Sequence, residues 1–321
     1  MGRPLRIQDP SYCYFVTNRC FQERFFLTPT PEINALILGW LARSAKRYNV
    51  KIFFFLFMSN HFHMAVRAPH ENLHNFMGYF QCNLAHDVNR LLKRTGSLFE
   101  RRYSAEPMLD GDAMMAKWRY TMTNPVEANL VSHVRFWPGE SSYQAHLDQT
   151  PISAVWTDRD KLRAMRRRKS HNPDDEVLAD QHIELHLAPL PFLEDHTPAQ
   201  RARFFKRSLS AHTRVLTKHR NEHDQKVLGA LNIRTQSPFD RPKNPTRSPR
   251  PLCHTRCTIR RNTYRKLVRE VTEAYRAANA LWREGLLPTF PPGTIPPGWS
   301  CTTSAPDITP PYSSTSASSV Q

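Results

Sequence analysis

The sequence predicts an α+β fold: an antiparallel sheet with helices packed on one face, followed by a basic, mainly helical extension. Three observations predict it. Residues 51–58 form a near-continuous apolar run that turns at Ser59-Asn60 into a second run at 61–67, the pattern of two buried strands joined by a tight turn. Residues 72–94 carry Leu73, Phe76, Met77, Phe80, Leu84, Val88 and Leu91 on one helical stripe. Over the first 150 residues the periods alternate in the order β-α-β-β-α-β-α, which suits an antiparallel sheet.

Taken in order, a strand is expected near 12–18 and a helix near 31–47. The Phe-rich strand 51–58 and the strand 61–67 follow. The long helix of 72–94 ends before Gly96, a candidate C-cap. A strand at 102–109 leads into a helix that Asp110 or Asp112 can cap and that Pro125 ends or kinks. On that helix Met115, Trp118 and Met122 make the core stripe.

From about residue 150 the pattern loosens. Lys161–Lys169 and Arg201–Arg207 are basic helical segments, either a phosphate-binding face or a solvated one. Prolines between 238 and 251 forbid regular structure, and helical periodicity returns over 262–284 with Tyr264, Leu267, Val271, Tyr275 and Ala278 in register. The expected organisation is a unit at 1–150, a basic, mostly helical extension at 151–286, and a Pro/Ser/Thr-rich, disordered tail at 287–321.

Two features carry chemistry. In the strand starting at His61, alternation puts His61 and His63 on one face and turns Phe62 into the core. Two imidazoles at the start of a strand in a Phe-rich sheet are poor packing choices and outline a metal clamp; the plain alternative is a chance pair in a chain with 15 histidines. On the helix after Asp110, Tyr120 lies about 200° round from Trp118, on a face with Ala113, Ala116, Lys117 and Asn124. The tyrosine is presented rather than packed, or is an ordinary surface tyrosine of an amphipathic helix.

The segments Met58-Ser-Asn-His-Phe-His-Met-Ala-Val66, Thr95-Gly-Ser-Leu-Phe-Glu-Arg-Arg-Tyr103 and Tyr120-Thr-Met-Thr-Asn-Pro-Val126, in this order and spacing, resemble those of the single-tyrosine HUH transposases. More narrowly they resemble the REP-associated tyrosine transposases, over roughly residues 3–150. The opening Arg3-Pro-Leu-Arg through Tyr14-Phe-Val-Thr-Asn-Arg19 also fits that family's first strand. The chain departs from the family pattern at Ser59 (usually proline), Phe15 (often histidine), Thr121 and Thr123 (usually apolar) and Asn129 (usually glycine).

The resemblance implies a ferredoxin-like HUH fold and a DNA transposition and recombination chemistry. Tyr120 would attack a single-stranded phosphodiester, leaving a 5′-phosphotyrosine and a free 3′-hydroxyl. His61 and His63 would hold Mg²⁺ or Mn²⁺ as a Lewis acid. These ions prefer oxygen ligands, so Asn124, one turn after Tyr120, is the candidate third ligand; alternatively it simply terminates the helix before Pro125. Phe99, Arg101 and Arg102 beside the expected active site offer stacking and phosphate contact to a single strand, or form an ordinary strand entrance with solvated arginines. Lys117 and Arg119, flanking Tyr120, are further candidate DNA contacts.

Composition agrees. The chain has 321 residues and a formal net charge of +17. Residues 1–150 hold 17 Lys+Arg against 12 Asp+Glu, and 151–321 hold 28 against 16, so most of the nucleic-acid electrostatics lies outside the catalytic half. Six cysteines without framework spacing suggest reduced thiols, and Cys253-His254-Thr-Arg-Cys257 lacks a second pair to complete a zinc site. No signal peptide or membrane span is legible, which with the resemblance points to a bacterial cytoplasmic, nucleoid-associated protein. The expected function is a metal-dependent single-strand DNA endonuclease and strand transferase on hairpin-forming repeat DNA, with a homodimer left open. The rival is a non-catalytic, domesticated DNA- or RNA-binding protein.

Overall fold

The computed structural model describes residues 5–168, 172–243 and 250–298. The expected β-α-β-β-α-β core is present: β1 (Cys13–Arg19), α1 (Pro31–Tyr48), β2 (Lys51–Phe57), β3 (His61–Arg67), α2 (Leu73–Leu91) and β4 (Ser104–Met108). The strands form one antiparallel sheet in the order β2-β3-β1-β4, the ferredoxin-like arrangement.

The two crossover helices share one face, as the sequence predicts. Tyr14, Val16, Phe62, Met64 and Val66 point there and pack with Ile37, Leu41, Phe76 and Phe80 from α1 and α2. The seventh element, α3 (Gly111–Glu127), lies on the opposite face, where Trp118 and Met122 pack on Cys13, Phe15, Phe53, Phe54 and Ala65. The expectation of helices on one face thus holds for the crossover helices alone. Consecutive Phe53 and Phe54 reach the same side because the β2–β3 register shifts between Ile52 and Phe54, a bulge that interrupts the two-residue alternation.

The chain continues through α4 (Tyr143–Asp148), β5 (Ile152–Thr157), α5 (Arg159–Arg166), β6 (Asp180–Leu185), α6 (Pro198–Glu222), α7 (Ala230–Arg234) and α8 (Thr258–Arg283). β5 and β6 form a two-stranded antiparallel hairpin that the sequence reading missed. Its alternate residues Ala154, Trp156, Ile183 and Leu185 join the α1/α2 core. The hairpin crosses α1 so closely that a Cβ on Gly39 would stand 2.4 Å from the Val155 carbonyl oxygen. α6 lays Phe205 and Leu209 into the α3 cluster, with the Phe205 and Trp118 rings 4.7 Å apart. The residues after 150 therefore complete both cores of the first unit.

Two further expectations change. Residues 287–298, expected to be disordered, fold back: Phe290 meets Tyr275 at 5.1 Å between ring centroids, and the Gln8 amide donates to the Gly293 carbonyl at 2.7 Å. The rest of the tail, 299–321, lies outside the described residues, as do Arg3, Pro4 and Lys169. And α3 runs through Pro125 to Glu127 before turning at Asn129, whose φ of 52° is the left-handed conformation that glycine adopts freely and asparagine tolerates. Among the described residues, no helix is long and apolar enough to cross a membrane.

Candidate active site

The strand alternation puts His61 and His63 on the α3 face, while Phe62 is fully buried on the other. His63 is 7% exposed. Its ring stacks on Phe15 at 5.5 Å and 10°, and meets the His61 ring edge-on at 4.8 Å. Neither ring nitrogen of His63 has a hydrogen-bond partner among the described residues. Burial, then His61, Lys117 and Arg19, hold its pKa well below the ordinary histidine value, so the ring is neutral.

His61 is half-buried, and its Nδ1 lies 2.7 Å from Asn60 Oδ1. The Asn60 amide nitrogen donates to the Glu23 carbonyl, which turns the amide oxygen toward the imidazole. Nδ1 of His61 is then the N–H donor and Nε2 carries the lone pair. Burial and Arg19 push the His61 pKa down to about 3.

α3 supplies the tyrosine. Asp110 caps it by accepting from the Ala113 amide at 2.7 Å, and fully buried Trp118 and Met122 anchor the inner face. That rotation leaves Tyr120 38% exposed, its ring edge-on to His63 at 5.3 Å. The Lys117 ammonium sits 4.8 Å from the Phe15 ring centroid and 5.3 Å from that of Tyr120. Burial and the Glu127 carboxylate raise the Tyr120 pKa, while a hydrogen bond with the Asn124 side chain and the nearby Arg19 pull it down. Because α3 continues past Pro125, Asn124 stays helical, one turn from Tyr120 and on its face, rather than ending the helix.

His61, Tyr120 and Asn124 open into a cleft of about 1660 Å³. Its wall carries Arg19, Arg24, Arg241 and Lys243 against Glu23, Glu100, Glu127 and Asp240, so these charges cancel. Gln22 and Glu23 both adopt left-handed backbone (φ 55° and 58°), and Glu23 meets Arg19 at 2.7 Å.

The expected DNA contacts divide. Phe99 is not available for stacking: it is 8% exposed, packs edge-on against Phe62 at 5.7 Å and is bridged to Cys20, because the chain here runs alongside the end of β1. Arg101 and Arg102 are exposed but line neighbouring grooves rather than the cleft at Tyr120, and Arg119 is half-buried outside it. Lys117 lies within the site, against the rings.

The sequence reading missed the stacking role of Phe15, the Asn60–His61 bond and the Arg19–Glu23 pair. Phe15 and Arg19 share the face of the histidines by the same alternation, so parity along β1 was a usable signal. The segment 236–243, which also walls the cleft, had no local signal. It is held by the Phe25 amide donating to the Asp240 carbonyl at 3.0 Å and by Phe239 against Phe26 at 6.2 Å, contacts between positions far apart in the chain.

The donor set suits a divalent ion in part. His63 offers two unpartnered nitrogens and His61 a lone pair oriented by Asn60, both on neutral rings. No cluster of three or more His, Cys, Asp or Glu side chains that could hold a metal exists among the described residues. Any ion on this pair would draw its remaining ligands from amide, water or phosphate oxygens, as hard cations prefer.

No family model matches the chain, and no curated protein matches it. Among solved structures, one described as "Structure of the REP associates tyrosine transposase bound to a REP hairpin" is similar with a TM-score of 0.40 and 13% sequence identity, covering 46% of this chain and 85% of that chain.

Proposed function

We propose that the protein is a metal-dependent single-strand DNA endonuclease and strand transferase acting through Tyr120. The observation that carries the reading is the unpartnered, buried His63 beneath an exposed tyrosine. Leaving a buried polar nitrogen without a partner costs about 1–3 kcal/mol, a cost a fold accepts where the group has other work. The resemblance of the three motifs supports the same assignment.

In this reading the Tyr120 oxygen attacks the scissile phosphorus, the bond from phosphorus to the 3′ oxygen breaks, and the 3′ oxygen leaves as a hydroxyl once protonated. The DNA is left joined to Tyr120 through its 5′ phosphate, with the phosphodiester energy kept for rejoining. Asn124 orients the tyrosine hydroxyl. Lys117 holds the ring from behind and adds positive charge where negative charge develops. His61 and His63 would hold Mg²⁺ or Mn²⁺, with Asn124 as the third protein ligand if it gives up its bond to Tyr120. The ion, when bound, polarises the phosphate.

Hairpin-forming repeat DNA is the substrate that the resemblance suggests. The absence of a third side chain in the His, Cys, Asp and Glu set among the described residues favours one rival, a chain that binds nucleic acid without cutting it. Incubation with labelled hairpin oligonucleotides and Mn²⁺ separates the two: a protein–DNA adduct that survives denaturation supports the enzyme, and binding without adduct supports the rival.

A further inference from the structure

The catalytic cleft has balanced charges, so it cannot by itself supply the grip a polyanion needs. A second groove can. It lies along the edge of the sheet between β4 and α8, encloses about 580 Å³, and is lined by Arg6, Arg101, Arg102 and Arg250 against a single carboxylate, Glu106. That carboxylate is 7% exposed and lies 3.8 Å from His254 Nε2, so it faces the interior more than the groove.

The groove is built. The Arg6 guanidinium lies 3.5 Å from the centroid of the Tyr103 ring and donates to the Tyr103 carbonyl, which fixes the N-terminal wall. The opposite wall is α8, anchored by Tyr264 packing edge-on against Tyr12 at 5.9 Å. α8 lends Tyr264 and Val268 to this wall, and the positive charge of the groove comes from its arginines outside the helix. The third side is the ridge Glu100-Arg101-Arg102, whose first residue lines the catalytic cleft and whose next two line this groove.

We infer that this groove binds the phosphate backbone of the DNA substrate outside the cleaved position, the strand passing over the 100–102 ridge into the cleft at Tyr120. The inference rests on the DNA reading above and extends it to a second subsite. It assigns Arg250, from the extension, to substrate binding, with α8 as the wall that shapes the groove. It also moves Arg101 and Arg102 from the cleavage site to the flank. The occupant is set by charge: several guanidinium groups along one open groove match a repeating phosphate chain.

The test uses the full-length chain with a photo-crosslinking benzoylphenylalanine in place of Leu252, which is 45% exposed on the groove wall. Irradiation with a labelled hairpin oligonucleotide bearing single-stranded flanks should give a protein–DNA crosslink at position 252. Arg250→Ala should weaken binding of the same DNA and lower the slope of log K against log salt by roughly 0.7, the value of one single-strand phosphate contact. A Tyr120 adduct on this DNA without any crosslink at 252, or with an unchanged salt slope for Arg250→Ala, would overturn the groove assignment and leave the catalytic reading standing. A crosslink without any adduct would support the groove and sink the catalysis.

Discussion

Replacing His63 by leucine should leave the fold about as stable as the parent or more stable while abolishing cleavage. Both imidazole nitrogens are buried without a partner, and removing an unsatisfied buried polar group recovers about 1–3 kcal/mol. The lost stacking on Phe15 takes back about 0.5–1.5 kcal/mol. Leucine is close to histidine in volume, so cavity terms are small. The net expectation for the metal-free protein lies between a loss of about 0.5 and a gain of about 2.5 kcal/mol, read from urea unfolding midpoints at constant slope. With Mn²⁺ at about a hundred times its dissociation constant the parent should gain about 2.7 kcal/mol and the variant nothing. A loss of more than about 2 kcal/mol in the metal-free variant would show that the imidazole is ordinary packing. Equal stabilisation of both proteins by Mn²⁺ would place the ion elsewhere.

Four other outcomes test the surroundings. Phe205→Ala, which empties a site 4.7 Å from Trp118, should cost about 3–5 kcal/mol in denaturant unfolding, and cutting the chain near residue 150 should yield insoluble protein; a soluble, folded fragment of 1–150 would contradict the shared core. Gly39→Ala should lower stability by about 1–3 kcal/mol, because its methyl would meet the Val155 carbonyl at 2.4 Å, and an unchanged melting temperature would show that the hairpin is not seated on α1. His146 is buried against Phe205 and Trp118, with its pKa pushed down to about 3 by burial. Its depressed folded value means that stability is fully present above the unfolded pKa near 6.5 and is lost as pH falls below it, by about 2 kcal/mol between pH 6.5 and 5. His146→Leu should remove that part of the acid sensitivity, and an identical stability–pH profile would refute it.

Much of this arrangement is legible from short-range pattern. Period-two alternation assigns His61 and His63 to one face and Phe62 to the other, and the same parity along β1 places Phe15 and Arg19 with the histidines. The α3 stripe at Trp118 and Met122 turns Tyr120 outward by helical geometry alone. What the residues do not reveal locally is which distant segments complete a surface. Phe99 looks like a stacking residue until Cys20 is seen beside it, and 236–243 looks like a linker until Phe239 meets Phe26. Pro125 suggests a helix end that tertiary packing of Val126 overrides. The hairpin of β5 and β6 did carry an alternating signal, at Ala154 and Trp156, that the basic residues around it obscured.

The central claim is that Tyr120 is a nucleophile over a metal-holding histidine pair. It is tested most directly by incubating parent and Tyr120→Phe protein with 5′- and 3′-labelled hairpin oligonucleotides and Mn²⁺, followed by denaturing electrophoresis. The account predicts that the parent retains the 3′-labelled fragment covalently and releases the 5′-labelled one with a free 3′-hydroxyl, whereas Tyr120→Phe binds the same DNA and forms no adduct. Adduct formation by Tyr120→Phe, or cleavage by the parent that leaves no DNA on the protein, would contradict it.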